Sequence, residues 1–196
     1  MGSRILSAIL ALASFAAGGS ALSQTVPSAY QGRLPFTIGG GASNMNVDWG
    51  QNRMYGYSIW GDWHPGDLPR ILDGLGVEAE ARDLSFGRSN HIPANFREDT
   101  LGAGLIYTYR HFARIRPYGK VLIEYGRLNY GPGIATDKVY APALGFEYHA
   151  IQRLWVRADY EYQSWPNLFY GGKNLDPQGF TLGASYDFRS FRLFRR

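Results

Sequence analysis

The chain has 196 residues, 20 Lys and Arg against 16 Asp and Glu, no cysteine, and an aromatic content of 15%. That length fits one domain, and the missing cysteines exclude disulfides and a lipid-anchored lipoprotein. The net charge of +4 comes without the basic, aromatic-interleaved patches that nucleic-acid binding needs, so no nucleic-acid partner is expected.

At the N-terminus, Arg4 precedes an apolar run from Ile5 to Ala17 and then the small residues Gly18, Gly19, Ser20 and Ala21. Ala21-Leu22-Ser23 sets small side chains where a signal peptidase reads, so residues 1–23 are expected to be a cleaved signal peptide and the chain to be exported. The run is too short to cross ~30 Å of hydrocarbon. Residues 24–33 are then an N-terminal periplasmic segment, 34–188 the folded domain, and 189–196 a basic tail.

Eight segments of the folded domain alternate with period two, the signature of strands with two unlike faces. The first, Pro35 to Asn44, sets Phe36, Ile38, Gly40 and Ala42 on one parity. The second, Met54 to Trp63, sets Tyr55, Tyr57, Ile59 and Trp63 against Gly56, Ser58, Trp60 and Asp62. The third, Leu75 to Leu84, sets Leu75, Val77, Ala79 and Ala81 against Glu78, Glu80 and Arg82. The fourth, Leu101 to His111, sets Leu101, Ala103, Leu105, Tyr107 and Tyr109 against Ile106, Thr108 and Arg110. The fifth, Tyr118 to Gly126, opposes Val121, Ile123 and Tyr125 to Lys120, Leu122 and Glu124. The sixth, Ala141 to His149, opposes Pro142, Leu144, Phe146 and Tyr148 to Glu147 and His149. The proline is its weakest fit and marks a bulge or the strand's beginning. The seventh, Leu154 to Tyr162, opposes Val156, Ala158 and Tyr160 to Arg157, Asp159 and Glu161. The eighth, Phe180 to Phe188, opposes Leu182, Ala184 and Tyr186 to Ser185 and Asp187.

Connections after strands two, four and six are fairly short; those after three, five and seven are longer and polar. With the first strand running outward, aromatic side chains of the apolar parity sort by height. Trp63, Tyr107, Tyr109, Phe146, Tyr148, Tyr186 and Phe188 fall at the periplasmic rim; Tyr55, Tyr57, Tyr125, Tyr140, Tyr160 and Tyr162 fall at the outer one. Aliphatic residues lie between, as in the aromatic girdles of a membrane barrel. The reading is all-β: an eight-stranded antiparallel up-and-down transmembrane β-barrel with short periplasmic turns and longer extracellular loops.

The other parity then lines the lumen, where eight strands leave room only for side chains. It holds Asp62, Glu78, Glu80, Glu124, Glu147, Asp159, Glu161 and Asp187 with Arg82, Arg110, Lys120 and Arg157. Buried charges need partners, so an ion-pair network that plugs the barrel is expected, with Arg157 and Glu147 one plausible pair. Acids outnumber bases, so the balance calls for ordered water or a protonated glutamate.

In GVEAEARDL (Gly76 to Leu84) and the closing GFTLGASYDF (Gly179 to Phe188), the chain resembles the small eight-stranded outer-membrane barrels of Gram-negative bacteria, the OmpA/OmpX-type, opacity-protein and porin-like family. The resemblance implies residence in the outer membrane, contact with its lipids and lipopolysaccharide, handling by the barrel-assembly machinery through a terminal aromatic (Phe188), and surface contacts rather than shared chemistry.

Catalytic signals are weak. A barrel deacylase would place Ser two residues after a lipid-facing His, but His64, His91, His111 and His149 are followed at that spacing by Gly66, Pro93, Ala113 and Ile151. The pairs Glu78/Glu80 and Asp159/Glu161 suit acid–base work, yet a polar lumen produces them in any case. No metal-ligand spacing or cofactor motif is present. Arg70, Arg114, Arg116, Arg153, Arg189, Arg192, Arg195 and Arg196 fall at the periplasmic end, and Arg53, Arg88, Arg97, Lys138 and Lys173 in outer loops, where lipopolysaccharide phosphates are within reach. The expectation is a non-enzymatic barrel acting structurally or through its outer loops. The alternatives are a lipid-modifying barrel hydrolase or a soluble exported ligand-binding barrel.

Overall fold

The computed structural model describes residues 36–47, 53–65, 68–69, 72–86, 96–130, 133–169 and 173–188. The signal peptide, the N-terminal segment and the basic tail read from the sequence lie outside them. Eight strands close a barrel: β1 (Phe36–Asn46), β2 (Arg53–Trp63), β3 (Leu75–Phe86), β4 (Phe96–Thr108), β5 (Ile115–Tyr130), β6 (Ile134–Ile151), β7 (Leu154–Tyr162) and β10 (Gln178–Asp187). Neighbours pair antiparallel, and β1 seals against β10 from Thr37 opposite Asp187 to Asn46 opposite Gln178. Closure pairs every strand with two neighbours along the apolar belt, and a sheet in hydrocarbon cannot tolerate an open ladder edge. Between β7 and β10, β8 (Trp165–Phe169) and β9 (Lys173–Leu175) form a separate hairpin.

Sidedness follows from exposure. Leu144 is 73% exposed and Leu182 62%, whereas Glu78 and Glu161 are fully buried. The apolar parity faces out and the charged parity faces in. A soluble carrier would have the reverse arrangement, and that alternative is overturned.

Strand lengths depart from the sequence reading. β5 and β6 have 16 and 18 residues, so they absorb most of what reads as a long loop after strand five; only residues 131–133 connect them. β4 starts at Phe96, five residues before the expected Leu101. The cause is a reversal of chemistry at constant alternation. Near the outer end, Asn44, Arg53, Asp83, Ser85, Arg97, Asp99 and Arg127 occupy the outward parity. Met45, Met54, Leu84, Phe96, Leu128 and Val139 turn inward and are buried. Below this level the cylinder is apolar outside and ionic inside; above it the polarity inverts, as in a protein surrounded by water. Asp83 is thus a charged residue on the parity that is apolar lower down.

The inward apolar residues form one cluster that includes Val47 and is completed by Trp165, Leu168 and Leu175 from the hairpin. Phe86 and Phe96 meet edge to face, ring centroids 4.7 Å apart. The stretch PNLFYGGKNLDP, which reads as loop, therefore supplies the lid of an apolar crown. Gly126 makes the lid fit: a Cβ there would stand 2.2 Å from the Trp165 ring.

At the other end, Gly74 adopts φ 125° in the β2–β3 turn, a left-handed conformation open to glycine, and its carbonyl accepts from the Thr108 amide at 2.9 Å. Pro142 sits within β6, eight residues after its beginning, rather than opening it. The β6–β7 ladder stops at Ala143 opposite Glu161 and returns as a single bridge between Tyr140 and Ser164. The intervening proline has no N–H to give.

Candidate functional site

The alternating register of β3, β5 and β7 delivers the lumen charges to one place. β3 and β7 stand on opposite sides of the closed order, with three strands between them either way, and their side chains meet across the bore. Arg82 grips Glu161 with both terminal nitrogens, one contact at 2.8 Å, and also donates to Glu80 at 2.6 Å. Lys120 on β5 donates to Glu78 at 2.8 Å and to Glu80, and lies 3.5 Å from Glu161. Arg157 on β7 donates to both oxygens of Glu78, at 3.0 and 2.8 Å. Its Nε reaches the Tyr118 hydroxyl at 2.6 Å and Asp159 at 3.3 Å, and Asp62 is 3.6 Å from its Nη1. The Tyr118 hydroxyl in turn donates to Asp159 at 2.6 Å.

Upward, the Gln163 amide donates to Glu161 at 3.1 Å and its oxygen accepts from the Trp165 indole at 3.0 Å. One hydrogen-bonded chain thus runs from the hairpin lid to Asp159, uniting β3, β5, β7 and β8. Tyr118, Gln163 and Trp165 were not singled out from sequence. Tyr118 opens the expected fifth strand, and only its even parity marks it as inward. Glu98, also fully buried, precedes Leu101, where the apolar outward alternation of the fourth strand begins.

Of the expected lumen residues, Asp62, Glu78, Glu80, Arg82, Lys120, Glu124, Glu147, Arg157, Asp159, Glu161 and Asp187 are buried. Neither oxygen of Glu124 receives a hydrogen bond. Glu147 is the direct cross-strand neighbour of both Arg116 and Arg157, while the Arg157 guanidinium turns to Glu78. Asp187 lies 3.8 Å from Arg116 at the periplasmic mouth. Arg110 is a correction: it lies past the end of β4, its side chain 22% exposed, and pairs with Asp73 of the β2–β3 turn at 3.4 Å. At the same end the buried Trp155 meets the His149 ring at 4.6 Å in a tilted contact and carries the Arg116 guanidinium 3.6 Å above its ring.

Of the aromatic side chains, Tyr55, Tyr57, Trp63, Tyr107, Tyr109, Tyr125, Tyr140, Phe146, Tyr148, Tyr160 and Tyr162 are exposed on the outward face. Tyr186 and Phe188 are half-buried against one another, 4.8 Å between centroids.

Among the described residues no three His, Cys, Asp or Glu side chains are placed to hold a metal ion. The carboxylate pairs are committed to cations: Glu78 and Glu80 to Lys120, and Glu161 to Arg82. His64 is buried 3.5 Å from the Thr108 hydroxyl, and His149 faces the Gln152 carbonyl at 3.3 Å. His91 lies outside the described residues, as do Arg70, Arg88, Arg189, Arg192, Arg195 and Arg196. Arg53, Arg97 and Lys138 sit on strands rather than in loops, facing outward above the apolar belt; Lys173 begins β9.

Comparison with known proteins agrees with this architecture. The sequence matches the family described as outer membrane protein beta-barrel domain over residues 7–188. The structure is similar to Neisserial surface protein A, with TM-score 0.61, 14% identity, and coverage of 80% of this chain and 99% of that one. It is also similar to Ail, the attachment invasion locus protein of Yersinia pestis, with TM-score 0.51, 16% identity, and coverage of 77% and 96%. At such identities the likeness is one of fold. No curated protein matches the sequence. The chain belongs to the family of outer membrane β-barrel domain proteins, and its place is the cell outer membrane.

Proposed function

We propose that this protein is a closed, non-enzymatic barrel that works at the cell surface, bracing the membrane and meeting extracellular partners through its outer loops. The observation that carries the reading is the filling of the bore at two levels, ionic below and apolar above, each built from several strands. A bore so occupied offers neither a path for solutes nor a cleft for a substrate, which leaves the outer end as the working surface. The Yersinia pestis relative is by its description an attachment protein, and attachment by outer loops is brought to this chain as part of the proposal. Arg53, Arg127 and Lys138, outward above the belt, are the groups to meet lipopolysaccharide phosphates. Phe188 is the aromatic offered to the barrel-assembly machinery.

Three measurements test this. Purified protein in planar bilayers should give no conductance steps, and stable steps would refute the closed bore. Cells carrying a variant without residues 88–94 should keep the heat-dependent gel shift of a folded barrel but lose adhesion to immobilised matrix proteins and glycans. Lipid A from expressing and deletion strains should have identical masses; a lost or gained acyl chain would make the protein an enzyme.

A further inference from the structure

The outward wall at the top of β2 and β3 contains a hollow of about 530 Å³ whose walls include Tyr55, Tyr57, Asp83, Ser85 and Arg97, with Gly56 at its floor. Register fixes its height. Ala42, on its lower edge, pairs with Leu182 of the apolar belt on one side and with Tyr57 on the other. Its upper edge is the pairing of Ser85 with Arg97. The hollow therefore starts where the hydrocarbon ends and opens sideways from the strands into the headgroup layer. Its described lining residues all lie on strands.

Its chemistry is specific. Tyr55 and Tyr57 are 52% and 76% exposed and present their rings two residues apart on one face. Arg97 donates through Nε to Asp83 at 3.0 Å and to Asp99 at 3.0 Å, and its Nη2 also donates to Asp83. These bonds gather a guanidinium and two carboxylates next to the strand pairing of Ser85 with Arg97. Asp83 and Asp99 face one another directly across the ladder, a like-charge pair that Arg97 bridges. With two carboxylates to one guanidinium, the hollow does not favour a phosphate. It offers both donors and acceptors, and aromatic faces on which an apolar ring surface can lie. A pyranose has both features: hydroxyls at its edge and a C–H face.

We propose that this hollow binds a sugar ring of the glycolipid headgroups that surround the barrel in the outer leaflet. Tyr57 and Tyr55 pack the C–H face, and Asp83, Ser85 and Arg97 bond the hydroxyls. The proposal rests on the lipopolysaccharide contact above only for the lipid it names, and a sugar probe without phosphate separates the two.

The test is saturation-transfer NMR on the full chain in phospholipid nanodiscs, with deacylated and dephosphorylated core oligosaccharide of lipopolysaccharide as the probe. Wild type should transfer saturation to the sugar protons. Tyr57→Ala and Asp83→Asn, both outward and away from the lumen, should reduce the transfer at least fivefold while keeping the heat-dependent gel shift, and inorganic phosphate should not compete. Absence of transfer to wild type, equal transfer to both variants, or displacement by phosphate would each overturn the sugar site. A cross-linked dimer through Tyr57 in glycolipid-free discs would overturn it too, by assigning the hollow to a second copy. Should Tyr57→Ala fail to assemble, Tyr57→Phe and Asp83→Asn remain: Phe should retain most of the transfer and Asn should lose it.

Discussion

Arg82 and Glu161 belong to strands on opposite sides of the barrel and join in a two-pronged salt bridge through the middle of its bore. Both side chains are fully buried. Removing one partner strands the other charge away from water. Arg82→Met or Glu161→Gln alone is expected to lower unfolding free energy by about 3–5 kcal/mol. Glu161→Met combined with Arg82→Met should cost less than the sum of the single changes, with a coupling of roughly 1–3 kcal/mol. Urea unfolding in micelles, followed by tryptophan fluorescence, reads both; strict additivity would show that the pair does not tie β3 to β7.

The reversal of polarity along the wall sets a second expectation. Leu144 lies midway between Tyr140 and Tyr148 on the outward face of β6, and Thr136 lies on the same face nearer the outer end. Leu144→Arg should cost about 2–4 kcal/mol, whereas Thr136→Arg should stay within ~0.5 kcal/mol of wild type. Equal penalties at both positions would place the hydrocarbon boundary elsewhere.

The crown should behave as the core of a water-soluble protein. Leu128, fully buried in the apolar cluster, should cost about 2–5 kcal/mol when changed to alanine. Val121, on the same strand but outward and 56% exposed, should cost far less on the same change, because lipid fills the gap. Similar losses at the two positions, measured by urea unfolding, would deny the crown a packed interior.

Gly126 carries the contact between lid and barrel. In Gly126→Ala the new methyl would enter space held by the Trp165 ring, so the hairpin should lift and stability fall by roughly 1–3 kcal/mol. Limited proteolysis within residues 170–172 should then speed up. A variant with unchanged cleavage would mean that the ring is not seated on β5.

Much of this architecture was legible in the sequence because period-two alternation needs no knowledge of partners. Glu78, Glu80 and Arg82 could be set against Val77, Ala79 and Ala81 by parity alone, as could Arg157 against Val156. What parity could not show is that at Asp83 and Leu84 the alternation continues while its chemistry changes sides. A reading that equates apolar with outward ends each strand at that point and so puts Phe96, Glu98 and Leu128 in loops. The lid was illegible for a different reason. Trp165, Leu168 and Leu175 follow no period, and their burial is decided by a cavity that the other strands create. The pairing of Glu78 with Arg157 likewise depends on which strands stand opposite one another, a property of closure.

Phe96, Leu128, Val139 and Trp165 come together on the far side of the bilayer from four different strands. The knot they form is complete only when all four strands have reached that side. Once tied, it acts as the head of a rivet: pulling the chain back toward the periplasm would first require dragging these packed side chains apart. Residence in the membrane is secured from outside as well as by the greasy belt within.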